Sequence, residues 1–314
     1  MQTAGSQTSL TRREFVRRIA LGGSAVGLCG AGALASEASA ASPPSIVVFS
    51  KIFQEIKLNY EDAAALTAEA GLDGIDCPVR PGGEVLPERV ADDLPRYAEA
   101  LRKHGLKIPL LTTAITSTAT PHAELILKTG KQLGATFYRL GFVYHKKNTT
   151  VSDQIAEART QLKDLAGLNR QIGIGALLQN HSPSGSSVYL AGDLSEMRQL
   201  VEGFEPGQIG VAFDIGHALI VHGDGWRAHF EALRSHLKIA YIKDATRRGR
   251  WTPFGQGEIG QAGYFKLLKQ MNYQAPFSMH IEYDWADPGN KSRATLLKVL
   301  RESSGVLRRW LAEA

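Results

Sequence analysis

Residues 60–77 read YEDAAALTAEAGLDGIDC, and they hold one whole repeating unit of the fold. Asn59, just ahead, offers a side-chain acceptor to the free amides of a first helical turn, and Asp62 places an anion in that turn. Gly71 suits the left-handed residue that commonly closes a helix. Only Leu72 and Asp73 then separate it from Gly74-Ile75-Asp76-Cys77, which reads as a short buried strand. The same order of helix, glycine and strand returns at His104-Gly105-Leu106-Lys107-Ile108.

Extending this reading along the chain predicts eight strands: 46–50, 74–77, 107–112, 136–141, 172–179, 208–214, 238–243 and 277–282. Each is followed by a predicted helix, at 60–70, 88–104, 122–133, 153–170, 194–201, 225–235, 262–271 and 291–312. Strict alternation implies parallel strands joined by right-handed crossovers, and eight units are the number that closes a barrel. The expected fold is therefore an α/β single-domain (β/α)8 TIM barrel over residues 41–314, with a doubly wound open sheet as the rival. Long loops rich in Gly, Pro, Trp and His follow several strands, at 78–87, 181–188 and 246–260, and in a barrel they share one face.

Residues 1–40 stand apart from this pattern. Arg12-Arg13 precedes a Gly- and Ala-rich apolar stretch from Ile19 to Leu34, and Ala38-Ser39-Ala40 supplies a small-residue cleavage site. This reads as a twin-arginine export signal, which predicts a periplasmic or secreted protein. The apolar stretch is too short and weak for a spanning helix, and Leu28 before Cys29 argues against a lipid anchor. Beyond residue 40 there remain 32 Lys and Arg against 29 Asp and Glu, a net charge of only +3, with no basic stripe suited to nucleic acid. Cys77 is then the sole cysteine, so no intramolecular disulfide forms even in an oxidising compartment.

Polar residues cluster where the predicted strands end: Asp76, Arg139, Gln179, His181, Asp214, His217, Lys243 and Glu282. Asp214 and Glu282 each follow an apolar run, a costly place for a carboxylate unless it is paired, hydrogen-bonded or bound to metal. Aromatic residues Phe53, Tyr144, Trp251 and Trp285 lie in the following loops and are candidates to stack on sugar rings.

Four segments carry a resemblance: Ala176-Leu177-Leu178-Gln179-Asn180-His181-Ser182, Phe213-Asp214-Ile215-Gly216-His217, Ile242-Lys243-Asp244 and His280-Ile281-Glu282-Tyr283. In that order at strand ends they resemble the sugar phosphate isomerase/epimerase family, the xylose-isomerase-like TIM barrels, over roughly residues 45–290. Gly74-Ile75-Asp76, Val79-Arg80-Pro81-Gly82-Gly83 and Pro253-Phe254-Gly255-Gln256-Gly257 resemble an exported branch of it.

The resemblance implies one divalent ion (Mn, Mg, Co or Zn) held by Glu, Asp, His and Glu on the fifth to eighth strands. Carried over, those positions are Gln179, Asp214, Tyr241 and Glu282, so two of the four have changed. Gln179 keeps a carbonyl oxygen but brings no charge, and protonated Tyr241 is a poor ligand. His181, two residues beyond Gln179, is the expected replacement, which makes the expected metal set Gln179, His181, Asp214 and Glu282. The shared chemistry of the family is removal of a proton from the carbon beside a sugar carbonyl. Glu282, Lys243 and His217 are the candidate proton carriers, and Asp76, Arg80, Arg139, Trp251 and Tyr241 the candidate substrate contacts. The expected partner is a small-molecule sugar, free or glycosidic, with further copies of the chain in a homo-oligomer at most, and with neither nucleic acid nor a stable membrane anchor. Loss of a glutamate at Gln179 favours single-base chemistry, either isomerisation or β-elimination from a 3-keto glycoside. A non-catalytic sugar-binding barrel is the rival reading. An abasic-site endonuclease needs three zinc ions and more ligands than these strand ends offer.

Overall fold

In the computed structural model, which describes residues 44–314, eight strands run parallel in sequence order and the last returns to the first. They are β1 (Ile46–Phe49), β2 (Gly74–Val79), β3 (Lys107–Thr113), β4 (Phe137–Arg139), β5 (Gly175–Gln179), β6 (Ile209–Asp214), β7 (Leu237–Ile242) and β8 (Phe277–Met279). The closing seam pairs Val47 of β1 with Ser278 of β8, while its other edge pairs Val47 with Gly74. The strands are parallel because helices carry the chain back between them: α1 (Lys51–Gln54), α2 (Tyr60–Glu69), α3 (Val90–Arg102), α4 (Ala123–Gln132), α5 (Val151–Ile172), α6 (Leu194–Val201), α7 (Ile215–His222), α8 (Trp226–Leu233), α9 (Tyr264–Gln270) and α10 (Arg293–Glu313). This is the closed (β/α)8 barrel that the alternation predicts. The twin-arginine signal expected over residues 1–40 lies outside the described residues. Among the described residues no helix is long and apolar enough to cross a membrane.

Local chemistry accounts for the element ends. Asn59 caps α2 by accepting from the Asp62 backbone N–H at 2.9 Å, and Thr150, Asp193 and Ser292 cap α5, α6 and α10 in the same way. A Cβ at Gly74 would fall 2.1 Å from the Lys107 carbonyl oxygen, so only glycine lets β2 run this close to the start of β3. Apolar side chains fill two regions. Leu110, Leu177, Ala212, Ile239 and Tyr241, from alternating strand positions, form a small buried cluster. A much larger cluster joins the strands to the surrounding helices, with Trp226, Phe213, Phe230 and Tyr264 packed ring to ring.

Most predicted boundaries shift by one to three residues, and two departures from the predicted elements have a physical cause on view. Residues 172–174 were expected in strand five, but α5 runs to Ile172, continuing the stripe of Leu162, Leu165, Asn169 and Ile172. Helix α7, Ile215-Gly-His-Ala-Leu-Ile-Val-His222, was not predicted. It is apolar on nearly every side, so it shows no amphipathic period, and five of its eight residues are buried beneath the mouth of the barrel.

One carboxyl group in this region is held neutral. Glu84, in the loop after β2, accepts hydrogen bonds from the Ser50 and Tyr97 hydroxyls, and burial pushes its pKa up from 4.5 to about 8. A folded-state pKa raised above the unfolded value contributes stability that is complete below about pH 4.5 and is lost progressively as pH rises to about 8. Glu84→Gln should therefore flatten the fall in melting temperature between pH 5 and pH 8, measured by circular dichroism. An unchanged slope would show that this carboxyl does not titrate abnormally.

Candidate active site

The mouth of the barrel holds a cavity of about 290 Å³ at the carboxyl ends of the strands. Its walls include Arg80, Arg139, Gln179, His181, His217, Tyr241, Lys243, Trp251 and Glu282, nine of the eleven residues singled out in the sequence. Asp76 and Asp214 do not line it. Both are fully buried just beneath, so Asp76, expected to touch substrate, instead supports the floor. It accepts from the Thr112 hydroxyl at 2.7 Å and the Ser278 hydroxyl at 2.9 Å. Of the aromatic candidates only Trp251 reaches the cavity. Phe53 is wholly buried, Trp285 donates to Glu55 at 2.9 Å, and Tyr144 is exposed outside the cavity wall.

Asp214 organises the floor. Its backbone is fixed by Asn180, which accepts from the Asp214 N–H and donates to the Asp214 carbonyl, both at 2.8 Å, adding a side-chain rung to the β5–β6 ladder. One carboxylate oxygen caps α7 by accepting from the His217 N–H at 3.2 Å. The other accepts from the Gln179 amide and the Lys243 Nζ, each at 3.1 Å. Burial raises the Asp214 carboxyl, and Lys243 and these hydrogen bonds pull against that.

Lys243 stands at the centre. Its Nζ lies 3.0 Å from His217 Nε2 and 4.0 Å from Glu282 Oε1 as well as contacting Asp214. The Ser182 backbone N–H donates to His217 Nδ1 at 3.1 Å, and the Ser182 hydroxyl lies 2.9 Å from the same nitrogen. Burial first, then Lys243, holds His217 well below the usual imidazole range, which keeps it neutral. Lys243 thus stands within reach of His217, Asp214 and Glu282 together. Gly216 leaves room for this. A Cβ there would meet Lys243 Cγ and the Lys243 carbonyl oxygen at 2.9 Å.

The neighbouring residue does different work. The Asp244 carboxylate accepts four backbone N–H groups, from Ala245 at 3.0 Å, Gly255 at 2.8 Å, Gly257 at 2.9 Å and Ile259 at 3.2 Å. It thereby shapes the loop that sets Trp251 edge-on against His217, with ring centres 4.8 Å apart.

Beside Lys243, Glu282 pairs with Lys51 at 3.2 Å. Burial would raise its carboxyl, but the His280 ring with Lys243 and Lys51 outweighs this and holds Glu282 ionised, well below the ordinary carboxylate range. His280, whose Nε2 lies 3.2 Å from the Ser278 hydroxyl, is pushed down to about 3 by burial and leaves its buried Nδ1 without a hydrogen-bond partner. Arg139 is 3% exposed, donates to the Leu140 carbonyl at 2.6 Å, lies over Phe142 and, among the described residues, faces no carboxylate within 4 Å. Sequence reasoning missed Lys51, Ser182 and His280 as site residues. Only His280 carried a signal, sitting two residues before Glu282 and so on the same side of an extended chain.

Comparison with known proteins agrees with the barrel fold. The model of the xylose isomerase-like TIM barrel family matches residues 64–308. The chain belongs to that family. No curated protein sequence matches it significantly. Among solved structures of the same fold, a putative xylose isomerase from Rhodospirillum rubrum is 15% identical with a TM-score of 0.66, covering 84% of this chain and 99% of its own. D-psicose 3-epimerase from Clostridium cellulolyticum is 12% identical at 0.64, covering 85% and 99%. A 3-keto-D-glucoside 4-epimerase from E. coli is 15% identical at 0.60, covering 77% and 94%.

The side chains present do not suit the divalent ion that the xylose isomerase-like barrels led us to expect. Gln179 turns its amide N–H, not its carbonyl, toward Asp214. Tyr241 stays a protonated phenol, raised by burial. His181, held neutral with burial lowering it to about 4, donates Nδ1–H to the Ser182 carbonyl at 2.7 Å and lies against the His217 ring. Among the described residues no three His, Cys, Asp or Glu side chains converge as a metal site.

Removing the Asn180 side chain strands a buried N–H and C=O of Asp214. Asn180→Ala should lower stability by roughly 2–4 kcal/mol in urea unfolding, since each buried unsatisfied group costs about 1–3 kcal/mol. A loss no larger than that of an exposed Asn→Ala control would show that this rung does not form.

Proposed function

We propose that the protein is a sugar isomerase/epimerase-like enzyme that removes a proton from the carbon beside a carbonyl of a free or glycosidic sugar. The observation that carries this reading is the placement of Lys243 and Glu282 together on a cavity that is otherwise polar and aromatic. Proton removal needs a base at the carbon and a cationic or hydrogen-bonding partner for the oxygen that gains charge. Lys243 and Glu282 are the proton carriers, Lys243 held by His217 and Asp214. Arg139, buried and without a carboxylate of its own, suits the oxygen. Trp251 and Phe142 offer faces for the sugar ring, and the unpartnered His280 Nδ1 can accept from a hydroxyl.

Single-base chemistry is favoured over a symmetric epimerisation because the two candidate proton carriers lie on one side, Nζ and Oε1 being 4.0 Å apart. Aldose–ketose isomerisation and β-elimination from a 3-keto glycoside both begin with that one abstraction. A free or glycosidic substrate also fits the proposal that the twin arginine directs the protein out of the cytoplasm, where phosphorylated sugars are scarce.

Incubation with ketoses, aldoses and 3-keto glucosides in heavy water should show deuterium entering beside the carbonyl by NMR. Lys243→Met and Glu282→Gln should each slow that exchange by about 10²-fold or more, the usual contribution of a positioned proton carrier. Sugar binding without exchange across the panel would replace this reading with that of a non-catalytic sugar-binding barrel.

A further inference from the structure

We infer that Lys243 takes the place of a divalent metal, its Nζ filling the position an ion would need and offering N–H groups to the oxygen that gains charge. The inference rests on the same site as the reading above. Its first ground is occupancy. Nζ lies 3.1 Å from Asp214 Oδ2, 3.0 Å from His217 Nε2 and 4.0 Å from Glu282 Oε1, at the point where the two carboxylates converge. Ligand atoms sit about 2.0–2.6 Å from a divalent ion, so an ion here requires that Nζ leave.

The second ground is that the surrounding groups are already committed to that nitrogen. Asp214 uses one oxygen to cap α7 and shares the other between Gln179 and Lys243. His217 meets the Ser182 N–H and hydroxyl with Nδ1 and turns Nε2 to the lysine nitrogen. Gly216 keeps the Lys243 stem clear, and Trp251 lies with its ring centre 5.1 Å from Nζ, covering it. A neutral amide at Gln179 belongs with this arrangement. It donates to Asp214, which a carboxylate in its place could not do.

The step balances without a further reactant. The C–H bond beside the carbonyl breaks, its proton forms a new O–H bond on the Glu282 carboxylate, and the electron pair moves through the new C=C bond onto the carbonyl oxygen. The Lys243 nitrogen, 4.0 Å from Glu282 Oε1, stands beside the new oxyanion where the metal ion would have stood. Transfer of the neighbouring hydroxyl proton to that oxyanion, with return of the carried proton to the adjacent carbon, completes an isomerisation; departure of a β-substituent as its alcohol, taking the carried proton, completes an elimination.

The test has a part that does not depend on which sugar is used. Full-length protein is dialysed against Mn²⁺, Mg²⁺, Co²⁺ or Zn²⁺, washed, and analysed for metal by mass spectrometry, with melting temperatures recorded with each ion and with EDTA. The expected result is far less than one ion per chain and no melting shift. One ion per chain with a melting temperature that rises on loading would overturn the inference, because a ligand that binds the folded state must stabilise it. The second part concerns the amine itself. Lys243→Cys should lose deuterium exchange and regain a substantial fraction of it after alkylation with 2-bromoethylamine, which rebuilds an amine at that position. Metal-restored exchange in EDTA-treated wild type would also count against the inference, whereas failure of exchange with every sugar would touch only the proposed reaction.

Discussion

A carboxylate with no exposure to solvent has to be answered by donors, and in this barrel the answer given to Asp214 sets the whole floor of the site. Its four contacts come from three different parts of the chain: Gln179 and Asn180 at the end of β5, the His217 amide in the first turn of α7, and Lys243 after β7. None of these groups can shift without leaving charge or a polar atom unsatisfied in a low-dielectric interior. The burial of one side chain thus ties three βα units together and aims Lys243 and His217 at the cavity.

Around that floor the charges are arranged unequally. Lys51 and Glu282 compensate each other at 3.2 Å, whereas Arg139 faces the cavity, donates to a carbonyl, lies over an aromatic ring and, among the described residues, forms no ion pair within 4 Å. An arginine stays charged even when burial lowers its affinity for protons. Such a cation stores electrostatic potential for whatever oxygen is brought to it, and a preorganised charge of this kind stabilises developing negative charge without reorganisation. Asp244 shows how neighbouring residues divide the labour: Lys243 faces the cavity, and the next carboxylate ties four backbone amides into the loop that carries Trp251.

Much of this was legible from residue order. Eight alternations of short apolar runs with capped helices can close only as a barrel with its long loops on one face, so polar residues ending strands had to share a mouth. That reasoning placed nine of eleven candidates on one cavity. It went astray at Asp76, where a strand-end position was taken for an exposed one, and at Phe53 and Trp285, whose rings turn into the core. It also passed over α7, because a helix buried on most sides has no polar face to give a period.

Sequence by itself determined the barrel, the family to which the chain belongs, and the loss of two expected ligand types at Gln179 and Tyr241. What stands in their place only the tertiary structure decided. A lysine following β7 reads equally well as a substrate contact, a salt bridge or a base, because its long side chain can reach several partners and residue order says nothing of which. The packed structure fixes those partners by distance, setting Nζ between Asp214 and His217 with Gly216 and Trp251 closing the space around it.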